Sequence, residues 1–196
     1  MTVRQNFLKA IYPFFTWYKK LLNKNSRILS NDTNIRPVES FYDLSVVLND
    51  GRRLQLGELK GKKVLLVNTA SDCGFTAQYA DLEKLYEQDI DKLTIIGFPA
   101  NDFKKQEKGT DEEIAHFCKQ NFNVTFLLAT KNSVIKGPAQ QEVFQWLTDK
   151  TKNGWNNKQP SWNFSKYLVS EQGGLINYFD PAISPLSDDV KKAINR

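Results

Sequence analysis

Cys73 is the residue best placed to do chemistry in this chain, because of what precedes and follows it. The run Lys63-Val64-Leu65-Leu66-Val67-Asn68-Thr69-Ala70 reads as a buried strand. After Ser71-Asp72-Cys73-Gly74-Phe75-Thr76 comes an amphipathic segment with Tyr79, Leu82, Leu85 and Tyr86 at helical spacing. A thiol in such a strand-to-helix turn meets outward-pointing backbone N–H groups and the positive end of the helix dipole, and both favour the reactive thiolate. A lone cysteine is more often an inert core thiol. The polar, glycine-containing turn favours a nucleophile instead. Thr76 stands where a Cys-x-x-Cys pair would need its second sulfur, so the short disulfide of a dithiol oxidoreductase is excluded. The other thiol, Cys118, shares an apolar helix face with Ile114 and Phe117. It is either a small core hydrophobe or a partner for an activated thiol. His116 points off that face and reads as a solvated residue rather than a base for Cys73.

The elements that must position these residues follow from periodicity. Asn49-Asp50-Gly51 between Leu44–Leu48 and Leu54–Leu56 reads as a hairpin turn. Val64–Val67 and Leu93–Phe98 are buried strands, Tyr79–Gln88 a helix, and Thr110-Asp111-Glu112-Glu113 has capping-box spacing that opens a second helix. Val124–Leu128, Gln140–Leu147, Tyr167–Val169, Leu175–Phe179 and Val190–Ile194 continue as strand, helix, strand, strand and helix. This order predicts an α/β domain over residues 37–196: a central mixed β-sheet flanked by helices, with a reactive cysteine at the end of the first buried strand. A thioredoxin-like fold is the leading candidate.

Composition narrows the function further. Among 196 residues, two cysteines and one histidine make neither a secreted disulfide scaffold nor a zinc site. No nucleotide or haem motif is visible, so no cofactor is expected. The net charge of +5 suggests nucleic acid until it is located. Residues 1–36 carry seven basic residues against Asp32, so the body is close to neutral and nucleic acid is not expected as a partner. In that tail Phe7, Leu8, Ile11, Phe15, Tyr18 and Leu22 recur at helical steps, with Lys9, Thr16 and Lys20 on the other face. Pro13 interrupts it, no stretch is long enough to span a bilayer, and no A-x-A cleavage site follows. The reading is a basic amphipathic helix, residues 3–22, followed by a polar linker to residue 36. It lies on an anionic membrane surface, or packs on the body or on a second copy. A cytoplasmic protein, with membrane association through the tail, is the expectation.

Three segments then carry a family resemblance. Asn68–Thr76 resembles the nucleophile motif of the glutathione peroxidase family, Gly97–Glu107 its second signature (Gly-Phe-Pro-Ala-Asn-Asp-Phe-Lys-Lys-Gln-Glu), and Trp162-Asn163-Phe164 its third. They occur in the family's order, and the resemblance runs from about Phe41 to the C-terminus. It implies a thioredoxin-like fold and a thiol peroxidase acting on hydrogen peroxide and organic hydroperoxides. It also implies a catalytic set of Cys73, Gln106, Trp162 and Asn163. An amide, an indole N–H and a second amide are neutral donors suited to negative charge on sulfur and on the leaving oxygen. Cys118 matches the resolving cysteine of some microbial members, which implies recycling through a Cys73–Cys118 disulfide by thioredoxin, or by glutathione. A peroxide-sensing relay that oxidises a partner protein is the alternative. Departures from the pattern are Ala100 in place of a common cysteine, Asp102 for the usual Gln, Lys104-Lys105 for a glycine-containing pair, and Leu127 for a common proline. The short segment after Phe122 resembles the monomeric, thioredoxin-dependent branch, so a monomer is expected.

Overall fold

A computed structural model describes residues 27–196. Its frame is a six-stranded sheet in the order β1 (Ile28–Ser30), β8 (Leu175–Phe179), β7 (Lys166–Val169), β4 (Lys63–Thr69), β5 (Leu93–Pro99) and β6 (Leu127–Leu128). The two central strands, β4 and β5, are parallel and buried along their whole length. That burial on both faces is why both sequences are nearly continuous apolar runs. β6 adds in parallel beyond β5, while β7, β8 and β1 are each antiparallel to their neighbour. β2 (Ser45–Val47) and β3 (Arg53–Gln55) form a separate hairpin, with Gly51 of its turn in the left-handed region at φ 85°.

Alternation along the central strands divides the core in two. Leu65 and Val67 of β4 and Leu93 and Ile95 of β5 face one layer. That layer is covered by α1 (Gln78–Asp89), α2 (Asp111–Phe122) and α5 (Asp188–Asn195). Val64, Leu66, Ile96 and Phe98 face the other, with Phe41, Val46 and residues of α3 (Glu142–Leu147), beyond which runs the short α4 (Lys150–Asn153). Trp146 is fully buried there and donates to the Glu39 carbonyl at 2.8 Å. Trp155 donates to the Leu175 carbonyl at 2.7 Å, so both indoles have structural roles.

The capping box at the start of α2 forms as the spacing predicts. The Thr110 hydroxyl accepts from Glu113 N–H, and the Glu113 carboxylate accepts from Thr110 N–H. Two expectations need correction. Residues 28–30 are not linker: Ile28, Leu29 and Ser30 pair with Phe179, Tyr178 and Asn177, and extend the sheet past the expected boundary at residue 36. Two apolar residues inside a polar stretch were too short a signal for a strand. The strand expected over Val124–Leu128 shrinks to its last two residues, because the buried Glu83 carboxylate takes both the backbone N–H and the hydroxyl of Thr125. The amphipathic segment at residues 3–22 and Trp17 lie outside the described residues.

Candidate active site

Sheet topology brings the three signature segments together. β4 and β5 are parallel, so the loops that leave their C-terminal ends emerge at one edge of the sheet. β7 runs the other way, with Lys166 opposite Val67, so the segment entering β7 arrives at the same edge. Loop 70–77 carries Cys73, loop 100–110 carries Gln106, and the segment before β7 carries Trp162 and Asn163. Backbone and amide hydrogen bonds stitch them. Ala100 N–H donates to the Thr69 carbonyl at 3.0 Å, and Asp72 N–H to the Gln106 carbonyl at 3.0 Å. The buried Asn68 side chain bridges to the third segment, giving its N–H to the Trp162 carbonyl at 3.1 Å and accepting from Ser165 N–H at 3.1 Å. Phe164 N–H donates to the Asn68 carbonyl at 2.6 Å, which holds Phe164 at φ 69°.

Cys73 is only 1% exposed, enclosed where these loops meet. Its Sγ accepts from the Phe75 N–H at 3.4 Å. Its own N–H donates to the Thr76 hydroxyl at 3.0 Å, which in turn donates to the Ala70 carbonyl at 2.9 Å. Thr76 therefore closes the turn that a second cysteine closes in dithiol enzymes. An N–H aimed at sulfur supports negative charge there. Across the site Asn163 donates from Nδ2 to Gln106 Oε1 at 3.0 Å, which turns the donor end of the Gln106 amide away from Asn163. Asn163 Oδ1 is buried with no hydrogen-bond partner among the described residues. Trp162 is half-buried, its ring 5.4 Å from that of Phe103 and 5.7 Å from Lys104 Nζ.

The departures from the family pattern acquire physical meanings. Lys104 and Lys105 both sit at φ 52°, the left-handed region that favours glycine. The Asp102 carboxylate faces away from the site chemistry, accepting from the Ser133 hydroxyl at 2.9 Å and Val134 N–H at 2.8 Å. Cys118 is fully buried on the inner face of α2 and is not joined to Cys73. Burial pushes its thiol up to about 12, with Glu107 adding to the rise. His116 is exposed, as its position on the helix predicts.

Two residues gained no role from the sequence. Glu107 is 1% exposed, accepts from the Ser71 hydroxyl at 3.0 Å, and is pushed up to about 7, chiefly by burial. Its signal was its place as the last residue of the second signature, next to Gln106. Lys166 is fully buried, donates to the Phe164 carbonyl at 2.8 Å, and is pulled down to about 7 by burial against the pull of Asp180 and Asp81. A lysine opening an apolar strand is the trace it leaves in the sequence.

Comparison with known proteins fits this geometry. Residues 41–148 match the family described as "Glutathione peroxidase". The chain is 42% identical over 160 residues to the "Glutathione peroxidase homolog BsaA" of Staphylococcus epidermidis, which covers 81% of this chain and 99% of that one. It is 43% identical over 157 residues to the "Glutathione peroxidase-like peroxiredoxin gpx1" of Schizosaccharomyces pombe, covering 79% and 98%. Among solved structures, a thiol:disulfide interchange protein of the thioredoxin family from Chlorobium tepidum superposes with a TM-score of 0.60 over 83% of this chain and 99% of that one, at 16% identity. That likeness concerns the fold alone. The fold is thioredoxin-like. The chain belongs to the glutathione peroxidase family and is a thiol peroxidase.

Proposed function

We propose that Cys73 is the peroxide-reactive residue, that Gln106, Trp162 and Asn163 stabilise charge around it, and that Cys118 resolves the oxidised sulfur. The observation that carries this reading is the convergence of the three loops, with the Phe75 N–H on Cys73 Sγ and the Asn163 amide joined to Gln106. Cys73 thiolate attacks one peroxide oxygen, the O–O bond breaks, and the leaving oxygen departs with a proton as water or alcohol. Sulfur is oxidised to sulfenic acid. Cys118 Sγ then attacks Cys73 Sγ, forming a disulfide and releasing water. A dithiol protein of the thioredoxin type returns both thiols by exchange, itself becoming a disulfide.

A disulfide needs Cα atoms about 4.4–6.8 Å apart, and a thiol buried on a helix face rarely starts in that geometry. The reading therefore includes loosening of α2 once Cys73 is oxidised. The test is steady-state peroxidase turnover with thioredoxin and with glutathione. Faster cycling with thioredoxin is expected, and cycling with glutathione alone, unaffected by Cys118→Ser, would overturn the resolving role. We further propose that the chain acts as a monomer whose basic tail contacts anionic membranes. The support is the charge and aromatic pattern of residues 3–22, and no helix among the described residues is long and apolar enough to cross a membrane. Removing residues 1–26 should abolish sedimentation with anionic liposomes at low salt, whereas unchanged binding would refute the contact.

A further inference from the structure

We propose that Glu107 is the base that takes the proton from Cys118 as that thiol attacks oxidised Cys73, an inference that rests on the resolving role given to Cys118 above. The geometry begins with a buried polar cluster beneath the site. Glu107 sits on the loop after β5, its backbone N–H held by Asn101 Oδ1 at 2.9 Å and one carboxylate oxygen by the Ser71 hydroxyl at 3.0 Å. Ser71 is two residues from Cys73, so the carboxylate is tied directly to the nucleophile's loop. On the other side it is coupled electrostatically to Cys118 of α2 and to the buried phenol of Tyr79 on α1.

A cavity of about 180 Å³ opens over this carboxylate. Its walls are Ser71 and Asp72 on the side of Cys73, and Ile114 and Phe117 from the turn of α2 that leads into Cys118. Neither thiol lines this cavity while α2 is packed; in the proposal loosening of α2 brings Cys118 into it, with Glu107 in its wall.

The chemistry requires such a group. Even released from burial, a cysteine thiol titrates at ~8.5 and is mostly protonated at neutral pH, and a thiolate formed beside an ionised carboxylate would put two negative charges in one cluster. Proton transfer to Glu107 as the S–S bond forms keeps a single negative charge throughout. Cys118 loses its proton, its sulfur bonds Cys73 Sγ, and the S–O bond of the sulfenic acid breaks. The leaving hydroxide collects the proton from Glu107 and departs as water. The titratable and charged groups that act on Glu107 or are acted on by it are Asp72 from the loop after β4, Tyr79 from α1, Cys118 from α2 and Lys131 from the loop after β6, with Lys108 and Glu113 in the wall of the same cavity. Asp72 raises its proton affinity and Lys131 lowers it, with burial dominating. A carboxyl poised near neutrality suits a base that must both accept and return a proton.

The experiment follows disulfide formation after one equivalent of hydrogen peroxide, by quenched-flow alkylation and peptide mapping, in the parent and in Glu107→Gln and Glu107→Asp between pH 5.5 and 8.5. In the parent the rate should rise with pH through an inflection near 7. Glu107→Gln should slow it by about 10²-fold and flatten the profile, and Glu107→Asp should restore both in part. Should Glu107→Gln fail to fold, Glu107→Asp carries the test: a shifted inflection and a slower rate uphold the proposal, and a rate and profile identical to the parent's, or a flat parent profile, overturn it. An unchanged rate and profile in folded Glu107→Gln also overturns it. If the parent itself forms no Cys73–Cys118 link, the resolving role fails, and that result is separate from any effect of Glu107.

Discussion

Replacing Lys166 with methionine should alter stability in a way that depends steeply on pH. Lys166 opens β7 with its ammonium group fully buried, and burial pulls it from 10.5 to about 7. Below pH 7 the lysine is charged in both folded and unfolded chains, so folding carries the full desolvation cost. That cost is about 5 kcal/mol at ~1.4 kcal/mol per pKa unit. Between pH 7 and 10.5 the unfolded chain binds more protons at this residue than the folded one, so stability rises with pH and the cost fades. Methionine fills the same volume without the charge. It loses the bonds to the Phe164 and Pro181 carbonyls at 2.8 and 3.4 Å, although Gln78 still donates to Pro181 at 2.7 Å. One lost partner costs about 1–3 kcal/mol. Lys166→Met should therefore be more stable than the parent at pH 6, and that advantage should shrink by about 3 kcal/mol by pH 9. Urea denaturation of both proteins at the two pH values measures the difference directly. Other titrating groups, such as Cys118, are common to both chains and cancel. A stability difference that does not change with pH, or that grows with it, would show that burial does not pull Lys166 down.

The remaining predictions concern the site. Gln106→Ala should slow the reaction with peroxide by about 10²–10³ while unfolding stays cooperative, and a variant as fast as the parent would return Gln106 to the role of a loop residue. Cys118→Ser should form sulfenic acid at Cys73 at the parental rate in a single turnover but lose cycling with thioredoxin. Retained cycling would make Cys118 structural. Lys105→Gly should raise stability by about 0.5–1 kcal/mol, because glycine relieves the left-handed backbone at φ 52° while giving back part of the gain in unfolded-chain entropy. A loss of more than 1 kcal/mol in thermal or urea unfolding would show that the Lys105 side chain holds the loop.

How much of this was legible in the sequence depends on how local each cause is. The parallel pair β4–β5 was readable because strands buried on both faces must be apolar at nearly every position. The start of α2 was readable because a capping box lies within four residues. The location of Cys73 in a strand-to-helix turn followed from the change of period on either side of it. What stayed hidden is what distant residues do to one another. The Val124–Leu128 run could not announce that Glu83, on another element, would take the N–H of Thr125. Ile28–Ser30 becomes a strand only because β8 offers an edge. The left-handed backbone at Lys104 and Lys105 has no local signal in two lysines, and only their place in a signature that carries glycine hinted at it. Glu107 and Lys166 escaped for the same reason: a charged residue looks solvated until the fold buries it.

The central claim is that Cys73 is the sulfur that meets peroxide. One equivalent of hydrogen peroxide, added to the reduced Cys118→Ser chain in the presence of a sulfenic acid trap and followed by peptide mapping, tests it most directly. The account predicts trap adduct on the peptide containing Cys73 within the first turnover, and no peroxide consumption when Cys73 is also replaced by serine. Peroxide consumed at the parental rate without Cys73, with no adduct on that peptide, would contradict it.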